Sequence, residues 1–336
     1  MKLKTKKKPK FEICRLEKLK ALNERIARFY SQIAERQTAS DRRIIYMRKS
    51  EQIKHCSSLY IKYYDRTKPN AKIKSFKMRC KNRFCPTCIY FESKKTFKLI
   101  NDIINDERMQ NMSYIFITLT VRNCRADELS KTIDNLLNGF YKLIKQGRYQ
   151  FTKRFEGVFR VLECTYNTKT GEFHPHIHCL VAVSKEYFKE TKKYLTQSEL
   201  IEIWQKAINA DYKPNVDIRA VKNIGKKDIA EVSKYTVKSS QILNDEVLET
   251  YDINFAHRRL KAYTGIFFKL RADILKSQKS EDDFKDYEEI RLNRNFAKII
   301  YRWNCFKSQF RIAKISEDFN IGKLSADEKE FTLERL

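Results

Sequence analysis

Two runs rich in β-branched and aromatic residues, GVFRVLECTY (157–166) and EFHPHIHCLVAV (172–183), are joined by Asn167-Thr168-Lys169-Thr170-Gly171. Strand-length runs linked by five residues ending in glycine signal a β-hairpin. A hairpin commits the chain to antiparallel pairing, and side chains along a strand alternate between faces. His174, His176 and His178 therefore share one face, with Ile177 and Cys179 on the other. Three neighbouring imidazoles repel one another when protonated, and a divalent metal relieves this by holding them neutral. With the turn centred near Lys169 and Thr170, Glu163 falls opposite His176. An acid inside an apolar strand is costly unless it is paired or metal-bound. A hard cation that handles phosphate also prefers an oxygen ligand. We read Glu163, His176 and His178 as a metal triad, with His174 either a further ligand or a group just outside it.

The elements around the hairpin follow from periodicity. Leu16, Leu19, Leu22, Ile26, Phe29 and Ile33 recur at three- and four-residue spacing and predict a helix over 15–36. Further helices are expected over 91–110, 127–146, 197–210 and 227–242, and further strands at 114–121 and 215–221. From 114 to 242 the order reads β-α-β-β-α-β-α. That predicts an α+β fold, an antiparallel-rich, ferredoxin-like sheet covered by helices on one side. Beyond 245 the chain reads as helical and charged.

Charge narrows the partner. The 336 residues include 70 Lys plus Arg against 42 Asp plus Glu, a formal charge of +28. A polyanion is then the default partner. With 7 Gly and 5 Pro the chain is not linker-rich, and its 18 Tyr and 22 Phe argue against disorder. No apolar run approaches the ~20 residues of a membrane span. The start, MKLKTKKKPK, has no apolar segment behind it, so no secretory signal is expected. The expectation is a cytoplasmic protein with no membrane partner, whose basic arm is either solvated or tracks phosphates.

Nine cysteines without a secretory signal make a disulfide framework unexpected. Cys80, Cys85 and Cys88 form a C-x4-C-x2-C run with Pro86 stiffening the second turn. Zinc takes four ligands in a tetrahedron. Cys56 is the expected fourth, with His55 beside it as the substitute. Arg79 and Arg83 flank these cysteines, so a structural Zn2+ site here would stabilise a basic module that contacts DNA.

A third constellation is Glu231-Val-Ser-Lys234-Tyr235-Thr-Val-Lys238. On a helix Glu231 and Tyr235 are i and i+4 and share a face, with Lys234 and Lys238 adjoining. A tyrosine hydroxyl, with a pKa near ~10, is a poor nucleophile at neutral pH. A nearby lysine and a metal-bound phosphate favour its phenolate. A carboxylate one turn away can orient a water or accept a proton.

Together these residues resemble the plasmid rolling-circle replication initiators of the HUH endonuclease superfamily. The family pattern has a strand like Phe116-Ile-Thr-Leu-Thr120. It then has the HPHxH strand with a preceding acidic strand, here His174–His178 and Glu163. An E-x3-Y-x2-K helix follows, here Glu231, Tyr235 and Lys238. An upstream cysteine cluster matches at Arg83-Phe-Cys85-Pro86-Thr-Cys88. The likeness covers roughly residues 55–240. Cys179 departs from it, standing where related sequences tend to carry an aliphatic residue, and the motif helix has one tyrosine rather than two. The resemblance implies a protein that nicks one strand of its plasmid origin using Mg2+ or Mn2+. Tyr235 would form a 5′-phosphotyrosyl link and release a 3′-OH primer, and Glu231 would activate the terminating water. It also implies a host helicase and polymerase as partners. Transposases and relaxases of the same superfamily share the triad and the tyrosine. A non-enzymatic zinc-binding DNA protein is the alternative from another class. On this reading residues 1–50 are a basic arm and amphipathic helix, 51–111 a zinc-binding module, 112–243 the HUH endonuclease core, and 244–336 a helical, charged C-terminal region.

Overall fold

The computed structural model describes residues 12–65, 74–146, 151–191, 193–221, 224–233, 237, 239–278 and 296–316. The chain divides into two compact units, one formed by residues 1–90 and 280–336 and the other by 91–279. Among the described residues no helix is long and apolar enough to cross a membrane.

In the first unit, α1 (Glu12–Arg36) and α2 (Ser40–His55) pack side by side. The α1 stripe turns inward as its spacing predicts, with Leu16, Ile26 and Ile33 fully buried. Tyr30 of α1 stacks on Tyr46 of α2, and the Ser50 hydroxyl donates to the Ala27 carbonyl at 2.8 Å. Two strands follow, β1 (Leu59–Asp65) and β2 (Lys74–Lys77), and then α3 (Pro86–Ile104) begins at the cysteine loop.

The second unit is a five-stranded antiparallel sheet. Its strands are β3 (Met112–Thr120), β4 (Gly157–Asn167), β5 (Glu172–Ser184), β6 (Val216–Val221) and β7 (Lys261–Tyr263), in the order β6-β3-β5-β4-β7. The β4–β5 hairpin is the expected one. Its pairing runs to Asn167 opposite Glu172, and the turn closes through a Gly171 amide donating to the Asn167 carbonyl. Gly171 has φ +71°, a conformation that favours glycine. The helices α4 (Leu129–Lys145) and α5 (Gln197–Ala207) match expectation closely, followed by α6 (Lys226–Val232), α7 (Asp245–Phe255) and α8 (Gly265–Gln278).

One-sided helix cover is corrected, because helices line both faces of this sheet. On one face Phe116, Phe159, Val161 and Leu180 pack with Ile100 and Ile103 of α3, Ile229 and Val232 of α6, and Phe267 and Leu270 of α8. On the other, Phe140 of α4 meets Arg160, whose neighbours in sequence point the opposite way. The run of buried residues along β4, unbroken from Gly157 to Cys164, is what two-sided burial produces.

The helical reading of the C-terminal region holds for α7 and α8 and is corrected beyond them. Residues 296–315 are the strands β8 (Phe296–Asn304) and β9 (Gln309–Ile315). They complete a four-stranded antiparallel sheet of the first unit, ordered β2-β1-β8-β9. Ala297, Ile299 and Tyr301 are buried and the residues between them are not, which is strand periodicity among aromatic and β-branched side chains. The basic start, 1–11, lies outside the described residues.

Candidate metal centre and catalytic face

Register across the second sheet assembles the site. Thr120, His176 and Glu163 stand in one row across β3, β5 and β4, and Thr118, His178 and Val161 in the next. The oxygen Oε2 of Glu163 lies 3.3 Å from Nε2 of His178 and 3.7 Å from Nε2 of His176. One ligand atom from each of the three falls within 4.8 Å of the others.

The imidazoles are aimed from behind. His176 Nδ1 sits 3.0 Å from the His174 carbonyl. A carbonyl only accepts, so Nδ1 carries a proton there and Nε2 is the ring atom turned towards Glu163. His178 Nδ1 is held 3.1 Å from the Thr118 hydroxyl, again leaving Nε2 on the Glu163 side. Burial works against ionisation of Glu163, which is only 5% exposed, but hydrogen bonds from His176 and His178 outweigh it. Its carboxyl is held well below the usual carboxylate range. An ionised oxygen beside two outward-turned nitrogens is a donor set for a divalent cation.

His174 stands apart from this trio. Its Nδ1 meets Oδ1 of Asn123 at 2.6 Å, and its ring lies 5.0 Å from that of His176, centroid to centroid. Burial, then the neighbouring His176, pushes its pKa down.

Beyond His178 the same face turns apolar, with the Phe116 ring 5.6 Å from the imidazole. Here α6 is anchored through Ile229 and Val232. The expected helix over 227–242 is corrected, because α6 ends at Val232 and Ser233 caps it. The residues that follow, Ser-Lys-Tyr-Thr-Val-Lys-Ser-Ser, are mostly β-branched or hydroxyl-bearing and favour turns over helix interior. Lys234, Tyr235 and Lys238 lie outside the described residues. Glu231 is described, and it accepts a 3.0 Å hydrogen bond from Arg219 of β6. The Arg219 guanidinium in turn lies 4.7 Å over the Phe116 ring.

Several groups around this face were missed in the sequence. Thr118 carried a usable signal, since parity puts it beside the histidines. Arg219 did not, because nothing local announces its tie to Glu231. Lys261, in register with Val161, donates to Thr96 at 2.6 Å, and the three-residue β7 that carries it is too short to recognise. Ser93 of α3 donates to the Ser233 carbonyl at 2.7 Å and secures the end of α6.

The four cysteines of the first unit also converge. Cys56, Cys80, Cys85 and Cys88 place their sulfurs within 4.8 Å of one another, with Cys56–Cys88 at 3.6 Å and Cys80–Cys88 at 3.7 Å. With a Zn–S bond of about 2.3 Å, the edge of a tetrahedron is about 3.8 Å, so the spacing fits zinc. His55 takes no part. It is exposed and pairs with Glu51 at 3.2 Å. Ser57 and Lys81 follow Cys56 and Cys80 in the left-handed region, φ 52° and 59°. These turns bring the amide of Lys81 to 3.2 Å from the sulfur of Cys88.

Behind the sulfurs stand two polar residues of α1. Lys20, fully buried, donates to the Lys54 carbonyl at 2.6 Å, the Ser58 hydroxyl at 2.9 Å and the Cys56 carbonyl at 3.1 Å. Asn23, also fully buried, accepts from the Thr87 amide at 3.2 Å and the Cys85 thiol at 3.6 Å. Arg79 and Arg83, the flanking basic residues, are exposed.

A family of replication proteins matches residues 72–311. A protein rep from a Bacillus species is 32% identical over 257 residues, covering 68% of this chain and 81% of its own. One from Streptococcus pneumoniae is 31% identical, covering 69% and 74%, and one from Staphylococcus aureus is 34% identical, covering 49% and 71%. No solved structure matches the chain.

Proposed function

This chain belongs to the replication protein family, and from that premise we propose that it starts plasmid rolling-circle replication by nicking one strand at the origin. The observation that carries the reading is the trio of buried Glu163, buried His176 and half-buried His178, with its outward Nε2 atoms. It corresponds to the HUH endonuclease pattern on an antiparallel sheet.

Glu163, His176 and His178 would hold Mg2+ or Mn2+, which when bound supplies Lewis-acid polarisation of the scissile phosphate. His174, braced by Asn123, keeps the His176 ring in place as an outer group or adds a fourth ligand. Tyr235 attacks the phosphorus through its phenolic oxygen, and the P–O3′ bond breaks. The 3′ oxygen leaves as a hydroxyl that primes synthesis, and the 5′ end remains on the tyrosine. Lys238 and Lys234 lie close in sequence and favour the phenolate and the phosphate charge. With a single tyrosine in the motif, termination falls to Glu231, which activates a water to hydrolyse the link. Cys56, Cys80, Cys85 and Cys88 would hold a structural Zn2+ and stiffen the loop that presents Arg79 and Arg83 to DNA. On this reading the HUH core is the unit 91–279, wider than the expected 112–243 because α3, β7 and α8 belong to it, and the zinc-bearing segment 51–111 contributes its residues up to 90 to the other unit.

The partners on this reading are origin DNA, single-stranded or extruded at the nick, then a host helicase and polymerase, all in the cytoplasm. A formal charge of +28 supports general DNA affinity that falls steeply with salt.

The test is a cleavage assay on single-stranded oligonucleotides tiling the replicon, with Mn2+ or EDTA. A metal-dependent covalent adduct, absent in Tyr235→Phe, is the expected result. Tight binding with no adduct anywhere on the replicon would overturn the enzyme and favour a binding protein.

A further inference from the structure

We propose that Arg259 binds a backbone phosphate of the single strand next to the scissile one, at the β7 rim of the face that carries the histidines. The inference rests on the nicking reading and adds to it a place where the strand is held beside the chemistry.

Register places the residue. Phe159, Arg160 and Val161 of β4 pair with Tyr263, Ala262 and Lys261 of β7. The pairing continues past Lys261, since the Leu162 amide donates to the Leu260 carbonyl at 2.8 Å. One pair further, Arg259 falls opposite Glu163. Side chains alternate between faces along such a segment, and the contacts of its neighbours fix the phase. Lys261 donates to Thr96 of α3 at 2.6 Å and Tyr263 stacks on Phe159, so both face the side that carries the histidines. Arg258 turns the other way, to Ser130 at 2.8 Å and Asp134 at 2.7 Å on α4. Arg259 therefore shares the side of Lys261, one strand spacing, about 4.8 Å, from Glu163. Among the described residues no strand pairs with β7 on its far side, so this is the rim of the sheet.

The backbone around Arg259 is tied down, and its side chain is not. From the opposite face Arg160 donates to the Arg259 carbonyl at 3.2 Å and the Leu260 carbonyl at 3.4 Å. The head groups of Arg258 and Lys261 are anchored as above, the latter also 3.5 Å from Glu92. The Arg259 guanidinium is exposed, and among the described residues it makes no hydrogen bond or ion pair. Glu163, the acid it faces by register, is already engaged by His176 and His178. A guanidinium on a backbone secured at each neighbour loses little freedom when an anion takes it. Its planar donors match two oxygens of a phosphodiester. A strand whose scissile phosphate sits on the trio carries a further phosphate on either side, and one of these is the anion that meets the rim. Such a contact fixes the position of the strand without reading its sequence.

The experiment uses the full chain with Arg259→Ala and Arg259→Lys. Binding of the labelled single-stranded nick-site oligonucleotide is titrated over a range of salt, and adduct formation with Mn2+ is followed against oligonucleotide concentration. Both are repeated with oligonucleotides in which one flanking phosphate at a time is replaced by an uncharged methylphosphonate. Arg259→Ala is expected to bind roughly tenfold more weakly, with the adduct rate at saturation falling by less than about twofold. Its log K against log[salt] slope should shrink by about 0.7, the contribution of one single-strand phosphate contact. One methylphosphonate position should weaken the parent chain and leave Arg259→Ala unaffected. Arg259→Lys should keep the slope and recover part of the affinity.

Unchanged affinity and slope in Arg259→Ala would overturn the proposal. So would equal sensitivity of parent and variant to every methylphosphonate. A fall in the saturated rate at unchanged affinity would also overturn it, placing Arg259 in the chemistry rather than on a flanking phosphate. A parent chain that binds and forms no adduct would strike the nicking reading instead, while the binding scan still reports on Arg259, so the two failures are distinguishable.

Discussion

Replacing Lys20 by methionine tests the arrangement behind the four cysteines. Methionine fills nearly the same volume but carries no donor. Lys20 donates three hydrogen bonds of 2.6 to 3.1 Å, and two of the acceptors are carbonyls at the C-terminal end of α2. Each buried acceptor left bare costs about 1–3 kcal/mol. Against this, burial pushes the pKa of Lys20 down, the sign of a desolvation cost that methionine avoids. The balance is a loss of about 2–4 kcal/mol, or roughly 5–15 °C in thermal midpoint. Four thiolates around a divalent cation would leave a double negative charge, and the ammonium is positioned to offset it. Zinc retention against a chromogenic chelator should therefore fall more than tenfold in Lys20→Met and recover in part in Lys20→Arg. Both quantities are read on full-length protein, by calorimetry and by zinc release. A variant that melts within about 0.5 kcal/mol of the parent and holds zinc equally well would refute this assignment for Lys20.

Further predictions concern the trio and its supports. Glu163→Gln and His176→Ala should each lower adduct formation at least a hundredfold, and Thr118→Val, which removes only the brace of His178, by about 10–100-fold; quenched-flow cleavage of the oligonucleotide measures all three. Arg219→Ala should leave thermal stability nearly unchanged, since exposed ion pairs contribute about 0–1 kcal/mol. It should slow hydrolysis of the adduct, so that covalent product accumulates on a gel, and an unaltered adduct lifetime would remove Arg219 from termination. Brief alkylation of the native protein followed by mass spectrometry should label exposed Cys305 and spare Cys179, whose thiol burial pushes up to about 12. Gly139→Ala would set a Cβ 2.5 Å from Ile208 and 3.1 Å from Trp204, and should destabilise the α4–α5 packing by about 1–3 kcal/mol in denaturant unfolding.

The β4–β5 hairpin and the grouping of Glu163, His176 and His178 on it were legible because every signal there is local. A period of two, a closing glycine and an out-of-place acid fix register within thirty residues, and the register seen is the one expected. The cysteine spacing was legible for the same reason, down to the choice of Cys56 over His55. What escaped was non-local. β1 pairs with β8, far away in sequence, and no composition rule for the C-terminal third anticipates that partner. Lys20 and Asn23 look like a solvated helix face until Cys56, Thr87 and Ser58 are known to surround them. The early end of α6 was missed because helical spacing of Glu231 and Tyr235 was weighed above the hydroxyl-rich residues between and beyond them.

The pairing of β1 with β8 also bears on how the protein is made. Ribosomes extend chains at roughly 5–20 residues per second, so the first unit waits roughly 12–50 s between emergence of β1 and of β8. Throughout that interval β1 has only the four-residue β2 beside it, and its other edge stays open. The sheet that carries Glu163, His176 and His178 lies wholly between them and is complete first. A nascent chain stalled before residue 296 would thus carry an assembled histidine site alongside an unfinished cysteine unit, and the exposed edge of β1 would be where such a fragment aggregates or meets a chaperone.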